Sequence, residues 1–171
     1  MGTVQAMELK FIVDINAGKL AKWLRIMGYD ALLFTNEDDG KMIRVALNEN
    51  RVILTKDSQI MKRRLVTSGK LKTVLIEGDE PKAQLQQIAS ALNLDYQFRP
   101  FSVCLQCNQS LIERRKEEVA NMVPPHVLKT QSHYRECPSC HRIFWRGTHW
   151  QAMSEELEKF TTQNQKQSKA V

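Results

Sequence analysis

Leu9-Lys-Phe-Ile-Val-Asp14 and Arg51-Val-Ile-Leu-Thr-Lys-Asp57 each carry an apolar run that leads to an aspartate. Leu9 to Val13 is an almost unbroken apolar run that stops at Asp14. Such a run suits a strand buried on both faces, as in a parallel sheet. Val52 to Leu54 repeats the pattern and leads at once into Thr55, Lys56 and Asp57. Ala31 to Phe34 and Thr73 to Ile76 read as two further strands. The segments between them carry helical spacing. Leu20, Leu24 and Met27 recur with Trp23 alongside, and Gly28 ends that helix. Met42, Ile43, Ala46 and Leu47 mark a second helix, a basic helix is expected from about Gln59 to Val66, and Leu85, Ile88, Ala89 and Leu92 mark another, opened near Pro81. Strands alternating with helices predict an α/β domain with a mainly parallel sheet, because each parallel connection needs a crossover and each helix supplies one.

The pattern changes near Phe98 to Phe101. Beyond it lie all four cysteines, as Cys104-Leu-Gln-Cys107 and Cys137-Pro-Ser-Cys140. A two-residue spacer lets one tight turn aim both thiolates at one ion, and two such turns complete a tetrahedral sulfur site for Zn²⁺. Four thiolates leave no open position, so the zinc is expected to be structural. A redox pair would need a single Cys-x-x-Cys at a helix N-terminus. An iron–sulfur cluster takes the same ligands. His126, His133, His141 and His149 are treated as ordinary hydrogen-bonding residues. The chain therefore divides into an α/β domain over 7–100, a small zinc ribbon over 101–153, and, over 154–171, the end of a helix with a polar tail. Met1 to Ala6 has no pattern, and the tail from Thr161 lacks large apolar side chains and is expected to be disordered.

The 171 residues are 42% hydrophobic, enough for a buried core, and no apolar run is long enough to span a membrane. No secretion-type segment opens the chain, so a cytoplasmic setting is expected. The formal charge of +6 favours a polyanionic partner such as nucleic acid, and it also serves solubility.

In an open parallel sheet, chemistry sits beyond the carboxyl ends of the strands. Asp14 follows the first strand, Glu37, Asp38 and Asp39 follow the second, and Asp57 follows the third. Each acid alone reads as a helix cap or turn residue. Together they mark an acidic edge whose mutual repulsion a cation would offset, and oxygen donors suit Mg²⁺ or Mn²⁺. Lys19, Lys22 and Arg25 lie beside Asp14, and Lys56, Lys62, Arg63 and Arg64 lie around Asp57. They could guide a phosphate backbone, or simply be solvated helix faces. In the cysteine module Arg146 stands among Phe144, Trp145 and Trp150, a mixture that suits single-stranded nucleic acid and equally a small core.

Phe11-Ile-Val-Asp14 with Gly18-Lys-Leu-Ala-Lys-Trp-Leu-Arg-Ile-Met-Gly-Tyr-Asp30 resembles the opening of the Mut7-C ribonuclease domain family. Arg51 to Asp57 is similar to its second motif, and the two cysteine pairs with Trp145-Arg-Gly-Thr-His-Trp150 are similar to its zinc-ribbon end. The resemblance, over about 7–153, implies a PIN-like sheet followed by a zinc ribbon, and metal-dependent cleavage of RNA. It implies catalytic acids at Asp14, Asp57 and Asp39, with Asp38 as a further Mg²⁺ or Mn²⁺ ligand. Gly40 stands where the family often has an acid, and only Asp79 and Glu77 offer a fourth. Lys19, Lys22, Arg25, Lys56, Arg63 and Arg146 are the expected contacts to RNA, single-stranded or structured. The alternative is a non-catalytic RNA-binding or adaptor protein on the same fold. A phosphoryl-transfer domain fits poorly: Asn16 stands where a haloacid-dehalogenase-type enzyme has its second acid, and strand one does not end on the paired acids of a receiver domain.

Overall fold

A computed structural model describes residues 8–170, so the expected extension Met1 to Ala6 lies outside the described residues. The chain forms two compact units. One runs to Leu24 and resumes over Tyr29–Asn93; the other takes Arg25–Gly28 and Leu94 onwards.

In the first unit, β1 (Lys10–Asp14), β2 (Asp30–Phe34), β3 (Arg51–Thr55) and β4 (Thr73–Leu75) form a wholly parallel sheet in the order β2-β1-β3-β4. Its crossovers are α1 (Gly18–Ile26), α2 (Asp39–Glu49) and the pair α3 (Ser58–Met61) and α4 (Arg64–Thr67), and α5 (Pro81–Leu92) follows β4. Phe11, Ile12 and Val13 are fully buried, as a central parallel strand requires. Side chains alternate along a strand. Ile12 and Ile53 thus pack with Met42, Ile43 and Ala46 of α2, while Phe11 takes the other direction and meets the Tyr29 ring edge-on at 5.7 Å.

One expected helix is broken. Instead of a continuous run from Gln59 to Val66, Arg63 is extended (φ −62°, ψ 138°) between α3 and α4. Ile60 is buried, and Leu65 and Val66 pack against the same core cluster. Five and six residues from Ile60 do not return to one face of a straight helix, so the chain kinks to bring all three inward.

In the second unit, β5 (Ile112–Arg114), β6 (Tyr134–Glu136) and β7 (Ile143–Trp145) form an antiparallel sheet. The long segment between the cysteine pairs carries α6 (Lys116–Val119) and α7 (Pro125–Thr130). Val119, Val123, Val127, Tyr134 and Ile143 make a small core of their own, and the buried Tyr134 hydroxyl donates to Gln131 O at 2.9 Å. Gly28 takes φ +93°, and a side chain there would collide with the Arg99 carbonyl. The Arg99 amide in turn donates to Met27 O at 3.0 Å.

The polar C-terminus does not match the expected disorder. Helix α8 runs over Thr148–Lys169. Leu157 and Phe160 are buried, and Phe160 stacks on Tyr96 with centroids 5.5 Å apart. Thr161 and Asn164 continue that face half-buried, so the helix has an inward stripe without needing large side chains beyond Phe160. Lys166 and Lys169 in the last turn complement the helix dipole.

Candidate active site and cysteine cluster

Between β1 and β3 the strand order reverses: the chain leaves β1 towards β2 on one side and returns to β3 on the other. At such a switch point the flanking helices diverge and leave a crevice at the carboxyl ends of the strands. Asp14 ends β1 there and Thr55 ends β3. The fully buried Thr55 hydroxyl donates to Asp14 Oδ2 at 3.0 Å and accepts from the Asp57 amide, also at 3.0 Å. Thr55 thus ties the two acids together across neighbouring strands. Each acid is also held locally. Asp14 Oδ1 accepts from the Asn16 amide at 3.3 Å, and Asp57 Oδ1 accepts from the Gln59 amide at 2.8 Å as the cap of α3. Asp57 Oδ2 makes no hydrogen bond among the described residues.

The loop after β2 supplies the remaining acids. Asp38 caps α2, with Oδ1 accepting from the Lys41 amide at 3.2 Å, and Asp39 opens that helix half-buried. Asp79, after β4, pairs with Lys56 after β3, and the Lys56 ammonium holds its carboxyl below the usual carboxylate range. The acids at this edge offer only oxygen donors, which suits a hard divalent cation better than zinc.

The basic residues separate into three situations. Lys19, Lys22 and Arg63 are exposed. Lys56 is half-buried and engaged with Asp79. Arg25 departs from the expected RNA contact: it is only 7% exposed, and its Nη1 donates to Leu105 O at 2.8 Å and Gln106 O at 3.4 Å. Those carbonyls belong to the two residues between Cys104 and Cys107, so Arg25 supports the first cysteine turn.

The four sulfurs lie within 4.8 Å of one another, and among the described residues the acids form no comparable group. Both turns are built alike. The Asn108 amide donates to Cys104 O at 3.0 Å and the His141 amide to Cys137 O at 2.9 Å. Asn108 and His141 are both left-handed at φ 58°, which carries the chain out of each turn. Crowding splits the thiols. The backbone N–H of Arg142 is the main cause that holds Cys140 down to about 7, whereas the hydrogen bond between Cys107 and Cys140 is the main cause that pushes Cys107 up to about 11. A cation resolves this conflict by holding all four sulfurs as thiolates and releasing their protons. The cluster can bind zinc.

Sequence reasoning missed three features. Thr55 left a signal, a hydroxyl at the end of an apolar strand. Arg51 and Glu136 left none, because each joins a near partner to one more than twenty positions away, Asp30 and Arg114 respectively. Arg51 reaches Asp30 (2.6 Å), Glu49 (2.5 Å) and Phe11 O (3.0 Å). Glu136 accepts from His141 (2.9 Å) and Arg114 (2.7 Å), and these two, His141 first, hold its carboxyl below the usual range.

The architecture is a four-stranded parallel α/β sheet flanked by helices, followed in the chain by a four-cysteine cluster compatible with a zinc ribbon. The chain belongs to the Mut7-C RNAse domain family, which it matches over residues 9–157. That membership gives it a ribonuclease-type function, with RNA as the implied substrate. No curated protein and no solved structure matches the chain. No helix among the described residues is long and apolar enough to cross a membrane.

Proposed function

We propose that this protein is a metal-dependent ribonuclease that hydrolyses RNA phosphodiester bonds at the carboxyl ends of β1 and β3. The observation that carries the reading is the hydrogen-bonded chain Asp14–Thr55–Asp57 at the switch point. Asp14, Asp57 and Asp39, with Asp38 beside them, would hold Mg²⁺ or Mn²⁺. A divalent ion bound there would supply Lewis acidity and a more acidic water. The residues of the chain do the positioning. Thr55 orients Asp14 Oδ2, and the Gln59 amide engages Asp57 Oδ1, so that Asp57 Oδ2 is the oxygen left for a cation. Lys19, Lys22 and Arg63, with Lys56 once it leaves Asp79, would draw the phosphate backbone in. The zinc is structural, the ribbon adds RNA contacts through Arg146, and the setting is cytoplasmic.

The test is cleavage of single-stranded RNA by the zinc-loaded chain with Mg²⁺ or Mn²⁺. Cleavage should be lost in Asp14→Asn and in Asp57→Asn; if it survived both, the assignment would fail. The adaptor reading has one observation in its favour: Asp14, Asp38 and Asp57 all serve as local caps. RNA binding without cleavage under any divalent cation would select it.

A further inference from the structure

The second unit carries a groove of about 590 Å³, and Arg146 stands in its lining. It falls within the roughly 300–1,000 Å³ typical of small-ligand sites. Its floor follows from strand register. Glu113 of β5 faces Arg135 of β6, and Arg135 faces Phe144 of β7, so the three form one row across one face of the sheet. Its wall is Phe101 packed against Trp150, with centroids 5.0 Å apart. Above Trp150 lies the Arg146 guanidinium, 5.3 Å from the ring centre. Gly147 lets Trp145 lie close to the backbone, since a Cβ there would stand 3.0 Å from Trp145 Nε1.

The polar lining is rich in donors. Its one acid, Glu113, is met by Arg135 at 3.3 Å, while Arg135 also donates to Phe101 O at 2.9 Å. Arg146 has no carboxylate partner among the described residues. His133, His149 and Thr148 add further polar groups at the rim. Half-buried aromatic faces beside an uncompensated guanidinium fit a ligand with flat rings and negative charge. Unpaired nucleobases on a phosphate backbone have that chemistry: the rings stack on aromatic side chains and the phosphates meet arginine. A base pair within a duplex keeps its faces covered and cannot enter.

We infer that this groove binds unpaired bases of single-stranded RNA, Phe144 stacking on them and Arg146, seated over Trp150, taking the adjoining phosphate. The inference rests on the ribonuclease reading for its choice of polymer, but it places recognition in the ribbon rather than at the acids.

The experiment uses the full zinc-loaded chain without added Mg²⁺ or Mn²⁺, and fluorescence anisotropy. The probes are a labelled oligouridylate, the same strand annealed to its complement, and an abasic oligomer of equal length and charge. The oligouridylate should bind at least about tenfold more tightly than either control, since each aromatic stack is worth roughly 1–3 kcal/mol. Phe144→Leu keeps apolar bulk but removes the ring, and Arg146→Gln removes the charge. Each should weaken oligouridylate binding about five- to tenfold; Phe144→Leu should leave abasic binding less affected, whereas Arg146→Gln should weaken both. Zinc content reports that the ribbon remains folded, and 4-thiouridine crosslinking should map to residues 143–154. Affinity within twofold of the parent in both variants, no preference for unpaired bases, or crosslinks elsewhere would overturn the inference; exclusive binding of an apolar peptide would do the same. Cleavage that depends on Asp14 and Asp57 alongside unchanged groove-variant binding would reject the groove alone. Groove-dependent binding without cleavage would reject the nuclease alone.

Discussion

The two ends of the parallel sheet use the same strands in opposite ways. At the amino ends of β1, β2 and β3, Arg51 is met by Asp30 and Glu49 and donates to Phe11 O. Charge there is paired. At the carboxyl ends, Asp14 and Asp57 are held by a hydroxyl and by backbone amides, with no arginine or lysine bonded to either among the described residues. Their charge is oriented but left uncompensated. A carboxylate that locks a fold is thereby distinguished from one prepared for a ligand. The first has a cationic side chain on it; the second has neutral donors that fix its direction.

The largest effect belongs to the control outside the sheet. Structural zinc sites carry roughly 10–16 kcal/mol of binding free energy, so chelation should unfold the cysteine module from about Cys104 to Trp150. The sheet, with both its ends, should survive, as read by far-UV dichroism and limited proteolysis. Collapse of the whole chain would show that the two ends depend on the ribbon. Next, Asp57→Asn should cut cleavage about 10²–10⁴-fold while changing the melting temperature little. The opposite profile is expected at the other end. Arg51→Ala should cost about 2–3 kcal/mol in denaturant unfolding, less than a fully buried pair because Asp30 is 32% exposed, and should leave the rate per folded molecule unchanged.

Thr55→Val leaves Asp14 Oδ2 and the Asp57 amide without their shared hydroxyl. It should cost about 1–2 kcal/mol and reduce cleavage roughly tenfold with a raised requirement for divalent metal, both restored by Thr55→Ser. An unchanged metal requirement would reduce Thr55 to a packing residue. The smallest effect is electrostatic. Glu136 has a lowered folded pKa, so its contribution to ribbon stability is present above the ordinary glutamate range and is lost as pH falls through the lowered value. Glu136→Gln should therefore be less stable than the parent near neutrality, and the gap should close in acid.

Much of the fold was legible because its signals are local. Phe11 to Val13 and Val52 to Leu54 read as doubly buried strands, and the structure buries them so. The kink at Arg63 was not legible, since it answers to the core that Ile60, Leu65 and Val66 must share. The helical tail escaped for a related reason: a stripe of Thr161 and Asn164 carries no hydrophobic signal. Arg25 looked like its lysine neighbours because sequence spacing cannot reveal the carbonyls of Leu105 and Gln106, eighty positions away.

By itself the sequence determined the strand and helix alternation, the acids at the strand ends and the two cysteine turns. Each depends on residues within one turn or one strand of each other. The neighbouring of β1 and β3, and hence the place of Thr55 between Asp14 and Asp57, came from the packed chain. It alone brought two distant Cys-x-x-Cys turns to sulfur–sulfur distances that one ion can span. Strand order and the meeting of distant turns are set by packing and chain crossover, and no local propensity encodes them.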